Sequence, residues 1–310
     1  MTTGADRIRS RSLWLDTCDD DLTPRLALAG QVDADVAIVG GGMTGLWTAL
    51  FLREAAPDCR VVVLEAEVCG FGASGRNGGW CSALFPASLP ALDAMAGRDL
   101  AIAQWRAMID TVDQVGGDLE RLGVDAHFER GGTLTVATNP SHLGRLRHEL
   151  DVQRSYGFDE ADLEWLDASA MADRIRTTGN SGGLFTPHCA AVHPARLVRG
   201  LARAAEAAGV VIVEQSRVVE FGPRRVVTAG GAVRADAVLR CTEGYTPMLG
   251  ANERRTLIPL YSLMVATEPL PDAAWEQIGL RQRETFSDGR HLLIYGQRTA
   301  DGRLAFGGRG

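Results

Sequence analysis

Gly40, Gly42 and Gly45 stand in the G-x-G-x-x-G spacing, and a carboxylate, Glu65, follows 20 residues after the third glycine. In a strand–turn–helix the first glycine makes the tight turn, the second lets backbone approach a pyrophosphate, and the third lets helix pack on strand. The amides at the helix start, around Met43 and Thr44, then face an anion with the helix dipole behind them. A carboxylate at the distance of Glu65 accepts hydrogen bonds from ribose hydroxyls. These residue types at this spacing recognise a dinucleotide. A second run follows almost at once: Gly70-Phe71-Gly72-Ala73-Ser74-Gly75-Arg76-Asn77-Gly78-Gly79-Trp80. Its glycines permit close backbone approach to a flat or anionic ligand.

Such residues need particular elements to hold them. Residues 36–39, Val-Ala-Ile-Val, predict a strand buried on both faces of a parallel sheet. Residues 44–56 supply the helix, Pro57 stops it, and residues 61–64 form a second buried strand that delivers Glu65. A lone glycine motif is weak evidence, but this one follows a strand, opens a helix and meets its acidic partner.

With these motifs the chain resembles the flavin-dependent D-amino-acid oxidase family, which includes glycine, sarcosine and γ-glutamylputrescine oxidases. The resemblance rests on the glycine turn, on Glu65 at a strand end, and on the Gly-Ala-Ser-Gly-Arg-Asn-Gly-Gly arm at 72–79. Trp14-Leu15-Asp16 matches the γ-glutamylputrescine oxidase-like branch. FAD is the cofactor this implies. The implied reaction is oxidation of the C–N bond of an amine or amino acid by hydride transfer to the flavin. The imine is then hydrolysed, and O2 or another electron acceptor takes the electrons, O2 giving H2O2. The resemblance assigns cofactor contacts to Gly40, Gly42, Met43, Thr44, Gly45, Glu65, Gly72, Ala73, Ser74, Gly75, Arg76, Asn77, Gly78 and Gly79, with Val218 beside the adenine. Arg76 and Asn77 would face the flavin ring, Arg76 favouring its reduced, anionic form. Tyr261, Tyr295 and Arg309 would line the substrate pocket, so Arg76, Asn77, Tyr261 and Tyr295 are the catalytic candidates. His188 and His193 read as loop and helix-entry residues, and nothing marks Cys81 as an activated thiol for covalent attachment. The family's usual Ala-Thr-Gly or Ala-Asn-Gly strand end is replaced here by Arg240-Cys241-Thr242-Glu243-Gly244.

The implied fold class is α/β, a Rossmann-like FAD-binding domain with an inserted α+β substrate domain built on an antiparallel sheet. Between Arg98 and Leu122, Ile102, Trp105, Met108, Ile109, Val112, Val115, Leu119 and Leu122 recur at steps of three and four, which predicts a long amphipathic helix ended by Gly123. Residues 127–137 predict a bent strand or hairpin, and Asn139-Pro140 starts another helix. These elements form no βαβ unit and so mark an insertion. Pro194 opens a further helix with Gly209 as its C-cap. Strands follow at 210–213 and 217–221, then a hairpin over 226–233 and a strand over 237–242. Residues 257–266, 291–295 and 303–306 predict antiparallel strands of the second domain. The expected organisation is a FAD-binding domain at 31–95 and 185–250, and a substrate domain at 96–184 and 251–310. Residues 1–30 are expected as a surface arm with Trp14 as a packing anchor, and 83–90 as loop. Family members continue past the position of Gly310, so the substrate domain is expected to be incomplete.

Composition bounds the remaining classes. A net charge of −7 with no basic run argues against nucleic acid. No run approaches the ~18 apolar residues a membrane helix needs, and the N-terminus lacks a secretory apolar core. Six scattered cysteines form no C-x-x-C pair and no metal spacing, which predicts reduced thiols, no metal site and a cytoplasmic home. Two other readings remain at this level: an NAD(P)-dependent dehydrogenase, disfavoured by the glycine arm, and a non-catalytic dinucleotide-binding fragment.

Overall fold

A computed structural model describes residues 4–250, 253–258, 260–292 and 294–309. Its contacts divide it into two compact units. One comprises Met1–Asn77, Leu122–Ala126 and Pro194–Leu260; the other comprises Gly78–Arg121, His127–His193 and Tyr261–Gly310.

The first unit is built on a six-stranded sheet in the order Val211–Val213, Val61–Leu64, Gly30–Val39, Gly231–Arg240, Arg225–Thr228, Val218–Gly222. The first four strands run parallel, and the last two are added antiparallel. All four residues of Val61–Leu64 are buried, as a β-branched run covered on both faces requires. The strand Gly30–Val39 starts earlier than its apolar core predicts, because it pairs with Gly231–Arg240 along almost its whole length. The helix Met43–Ala55 packs on this sheet and on the helix Pro194–Ala207. Ala37, Val39, Val62, Leu64, Val226 and Val233 form the core of the unit.

The N-terminal residues depart from the expected surface arm. Ile8, Trp14, Leu15, Cys18, Leu22 and Leu28 are buried, and Ser12 caps the short helix Leu13–Asp16. Large apolar side chains at this density stabilise a packed segment by about 1.5–3 kcal/mol each when fully buried, which outweighs the polar residues between them.

The second unit carries a seven-stranded sheet in the order Ser262–Ala266, Leu304–Arg309, Ile294–Arg298, Thr285–Asp288, Thr133–Val136, Gly183–Thr186, Glu164–Leu166. It is antiparallel except where Thr285–Asp288 meets Thr133–Val136 in parallel. These two strands come from distant stretches of chain, so no hairpin fixes their direction. Leu134, Val136, Met171, Trp275, Leu280 and Phe286 fill its core. The predicted long helix is present as Arg98–Arg121. The expected loop at 83–90 instead passes into a helix, Leu89–Ala96, because Ser88 accepts the Ala91 N–H and Pro90 suits the first turn. The strand expected from 127 begins only at Thr133, and the one expected from 257 begins at Ser262; positions 259 and 293 lie outside the described residues.

A two-stranded pairing of Trp80–Ser82 with Cys189–Ala191 lies within the second unit. It accounts for the division falling after Asn77 and before Pro194, where the sequence suggests 95 and 185. No helix among the described residues is long and apolar enough to cross a membrane.

Candidate functional site

A cleft of about 390 Å³ opens in the first unit, within the usual range for small-molecule sites. Its walls are the glycine turn with the helix start, the end of the Val61–Leu64 strand, the first part of the glycine arm, residues 216–218, and residues 241–249.

The turn is built by close backbone approach. Gly40 has φ of +114°, and a Cβ there would sit 2.4 Å from the Cys241 carbonyl oxygen. A Cβ on Gly45 would sit 2.1 Å from the Gly40 carbonyl oxygen, which is the strand–helix contact expected of the third glycine. Gly42 lines the cleft. Its missing Cβ would meet the Ser74 hydroxyl at 2.8 Å, so the gap that the motif assigns to a pyrophosphate is bordered by the arm. The same hydroxyl accepts the Met43 N–H at 2.9 Å, joining the helix start to the arm.

Glu65 lines the cleft with its carboxylate already oriented. One oxygen accepts the Gly41 N–H at 2.8 Å and the other the Glu67 N–H at 2.9 Å. Burial pushes this carboxyl above the usual range, and the nearby Glu214 pushes the same way, against the two amides that favour the charge. Each carboxylate oxygen keeps lone-pair capacity for further donors.

The arm folds back on itself. Ala73–Gly75 makes one tight turn, and the Gly70 N–H donates to the Gly41 carbonyl at 3.0 Å. A Cβ on Gly75 would lie 2.1 Å from the Gly70 carbonyl oxygen. The Asn77 amide donates to the carbonyls of Ala73 and Ser74, both at 3.2 Å. The Trp14 indole N–H donates to the Asn77 carbonyl at 2.8 Å; Trp14 is thus a packing anchor with a polar task. Arg76 lies over the Phe71 ring at 5.1 Å and donates to the Tyr245 hydroxyl at 3.0 Å.

Of the residues assigned to the cofactor, Gly40, Gly42, Met43, Thr44, Glu65, Gly72, Ala73, Ser74, Asn77 and Val218 line the cleft. Gly45, Gly75 and Arg76 are not part of that lining. Gly78 and Gly79 belong to the second unit. There the Gln297 amide donates to both their carbonyls, at 2.8 and 2.7 Å, and a Cβ on Gly78 would meet the Tyr295 ring at 2.9 Å. Tyr295 stands edge-on to Trp80 at 6.2 Å, and its hydroxyl bonds the Ser262 hydroxyl at 2.7 Å. Tyr261, beside Ser262, is 80% exposed. Arg309 ends the last strand, and its side chain lies outside the described residues. His188 faces Asp162 at 3.0 Å, and His193 is buried edge-on to His127. Burial, with Cys189 nearby, pushes the Cys81 thiol up to about 12. Tyr245, Gln297 and Glu214 are the contributors that sequence reasoning missed; only Tyr245, at the departed strand-end motif, stood near a signal.

A family model described as FAD dependent oxidoreductase matches residues 35–310. "Probable oxidoreductase OrdL" of Haemophilus influenzae is 32% identical over 310 residues, 96% of this chain and 69% of that protein. Gamma-glutamylputrescine oxidoreductase of Escherichia coli is 32% identical over 285 residues, covering 90% and 65%. The chain thus spans about two thirds of the length of these curated relatives. The fold recurs in L-proline dehydrogenase from P. horikoshii, with a TM-score of 0.71 at 18% identity over 91% of this chain and 71% of that one. It recurs also in glycine oxidase from Geobacillus kaustophilus, with a TM-score of 0.67 at 23% identity over 89% and 71%. The family match begins in the very strand that carries the glycine turn and continues through both units, and the chain therefore belongs to the FAD-dependent oxidoreductases.

Proposed function

We propose that this chain holds FAD in the cleft of the first unit and oxidises the C–N bond of a small amine or amino acid. The observation that carries the reading is the Met43 N–H to Ser74 hydroxyl contact. It brings a dinucleotide turn and a glycine arm to one cleft, an arrangement a nicotinamide site does not need. The residues fit the cofactor at each part. Helix-start amides around Thr44 have no intrahelical partners and suit a pyrophosphate. Glu65, fixed by two amides, presents its free lone pairs to ribose hydroxyls. Val218 offers an apolar edge for an adenine, and residues 72–77 a backbone track for the ring system. FAD bound there would supply two-electron acceptance from the substrate C–H beside nitrogen, with O2 as the acceptor that would give H2O2.

The protein's own part is to orient and to bias. Arg76, held by Phe71 and Tyr245, provides a fixed positive charge that favours an anionic reduced ring. Asn77 holds the arm's curvature through its two carbonyl contacts. In the second unit Trp80 and Tyr295 provide an aromatic surface for a cationic or apolar amine, with Ser262, at the start of the edge strand Ser262–Ala266, on the Tyr295 hydroxyl and Tyr261 just before it. Gamma-glutamylputrescine oxidoreductase and glycine oxidase among the relatives support C–N bond chemistry. Six free cysteines support a reducing, cytoplasmic location.

The test is purification followed by a spectrum and anaerobic titration with a panel of amines and amino acids. A flavin band near ~450 nm that bleaches with one class of amine, and returns with peroxide on adding O2, is the expected result. A colourless protein that takes up no added FAD overturns the reading.

A further inference from the structure

We propose that the N-terminal residues 12–28 brace both ends of the glycine arm, with Trp14 and Arg25 acting as positioning residues for the cofactor cleft. This rests on the reading that the arm runs along FAD.

At the arm's far end, Trp14 is 3% exposed and gives its indole N–H to the Asn77 carbonyl. At the near end the brace acts through Glu214, which is fully buried. The Glu214 carboxylate accepts the Cys69 N–H at 2.7 Å, just before Gly70. It also accepts the Arg25 backbone N–H at 2.7 Å and the Arg25 guanidinium at 2.9 Å. Arg199 adds a fourth donor at 3.2 Å and is itself tied to Asp20 at 2.7 Å and to the Asp21 carbonyl at 2.8 Å. A carboxylate buried this deeply persists only when its charge is matched and its lone pairs are filled. The N-terminal segment supplies two of those four donors and the anchor of a third.

The arm is also held by its own turn, by the Met43 N–H on Ser74 and by the Gly70 N–H on Gly41, and residues 14 and 25 add a hold beside Asn77 and beside Cys69. Asn77 lies 63 positions after Trp14 in the chain, so no local turn can replace this contact. The segment therefore steadies the curvature that the arm's own contacts give it before any cofactor arrives. Losing that preorganisation lowers affinity without removing a ligand contact.

Trp14→Phe removes the N–H and keeps most of the ring. FAD titration of the apoprotein is expected to give a Kd about threefold to tenfold higher than for the parent chain. Amide exchange over residues 70–77 is expected to quicken, with the hairpin at 225–234 unchanged. Leu134→Val, a cavity in the core of the second unit, controls for general loss of stability and should leave both readouts near the parent values. Unchanged exchange over 70–77 in Trp14→Phe overturns the brace. Faster exchange with unchanged Kd, or an equal effect in Leu134→Val, overturns its role in cofactor positioning. If the parent chain binds no FAD, the cofactor reading itself falls, and the exchange comparison alone decides the brace.

Discussion

The cofactor cleft of the first unit and the aromatic cluster of the second are built from different materials. In the first, the decisive contacts are made by backbone: Gly40 against Cys241, Gly45 against Gly40, Gly75 against Gly70, and amides on Glu65. In the second they are made by side chains from three strands, with Tyr295 and Gln297 on one and Ser262 and Trp80 on two others. A backbone-built site tolerates almost no added atom where chains touch. A side-chain-built site tolerates added atoms but depends on a few polar groups.

The largest effect that follows is at Gly45. In Gly45→Val the new Cβ would lie 2.1 Å from a carbonyl oxygen, with no flexible neighbour to yield. The expected loss is roughly 3 kcal/mol or more, read by urea unfolding of the apoprotein, together with loss of FAD retention. A variant that folds with parental stability would break the contrast on its backbone side.

Next in size is Gln297→Leu in the second unit. The amide of Gln297 gives two N–H groups to the carbonyls of Gly78 and Gly79, while its own oxygen is buried without a partner among the described residues. Leucine removes two donors and one orphaned acceptor, so the expected loss is about 1–3 kcal/mol, read as a lowered thermal midpoint. No measurable loss would mean that the polar contacts of this unit carry little.

The same contrast decides what was legible in the sequence. Glycine at 40, 42 and 45 records where backbone must pass closely, and Val61–Leu64 records full burial, so the turn, both strands and Glu65 could be placed from residue types alone. The buried N-terminal segment was harder, because Trp14 and Leu22 are spaced irregularly among aspartates and arginines. Gln297 was invisible: one polar residue on an alternating strand carries no mark of which carbonyls it will meet 219 positions away in sequence. Arg76 shows the intermediate case. Its place in the arm was readable, but its partners Phe71 and Tyr245 depend on where residues 243–248 fold.

A sharper test distinguishes what fills the space beside Gly42. In Gly42→Ala the Cβ would meet the Ser74 hydroxyl at 2.8 Å. FAD affinity is expected to fall about tenfold, or ~1.4 kcal/mol. Adding Ser74→Gly should restore part of that loss if the hydroxyl is the obstacle. Strictly additive losses in the double-mutant cycle would mean that the cofactor itself claims the space.

The smallest effect concerns Cys81, in the second unit's strand Trp80–Ser82. Burial, with Cys189 nearby, raises its thiol to about 12, against ~8.5 for a free thiol. At pH 8 the folded protein therefore keeps a proton that the unfolded chain has begun to release. The thiolate fraction is smaller by roughly three orders of magnitude than in the unfolded chain. The sign for stability follows: the protonated thiol suits the fold, and its contribution is lost as pH rises from about 8.5 towards 12. Labelling by a thiol reagent at pH 8 is expected to miss Cys81 until the protein is denatured, as mass spectrometry of the peptide would record. Cys81→Ser should leave flavin content unchanged, since a thiol must first ionise before it can be alkylated or attack a flavin. Rapid labelling of the folded protein at this position would show an accessible thiolate where the packing of Trp80–Ser82 on Cys189–Ala191 leaves room only for a neutral group.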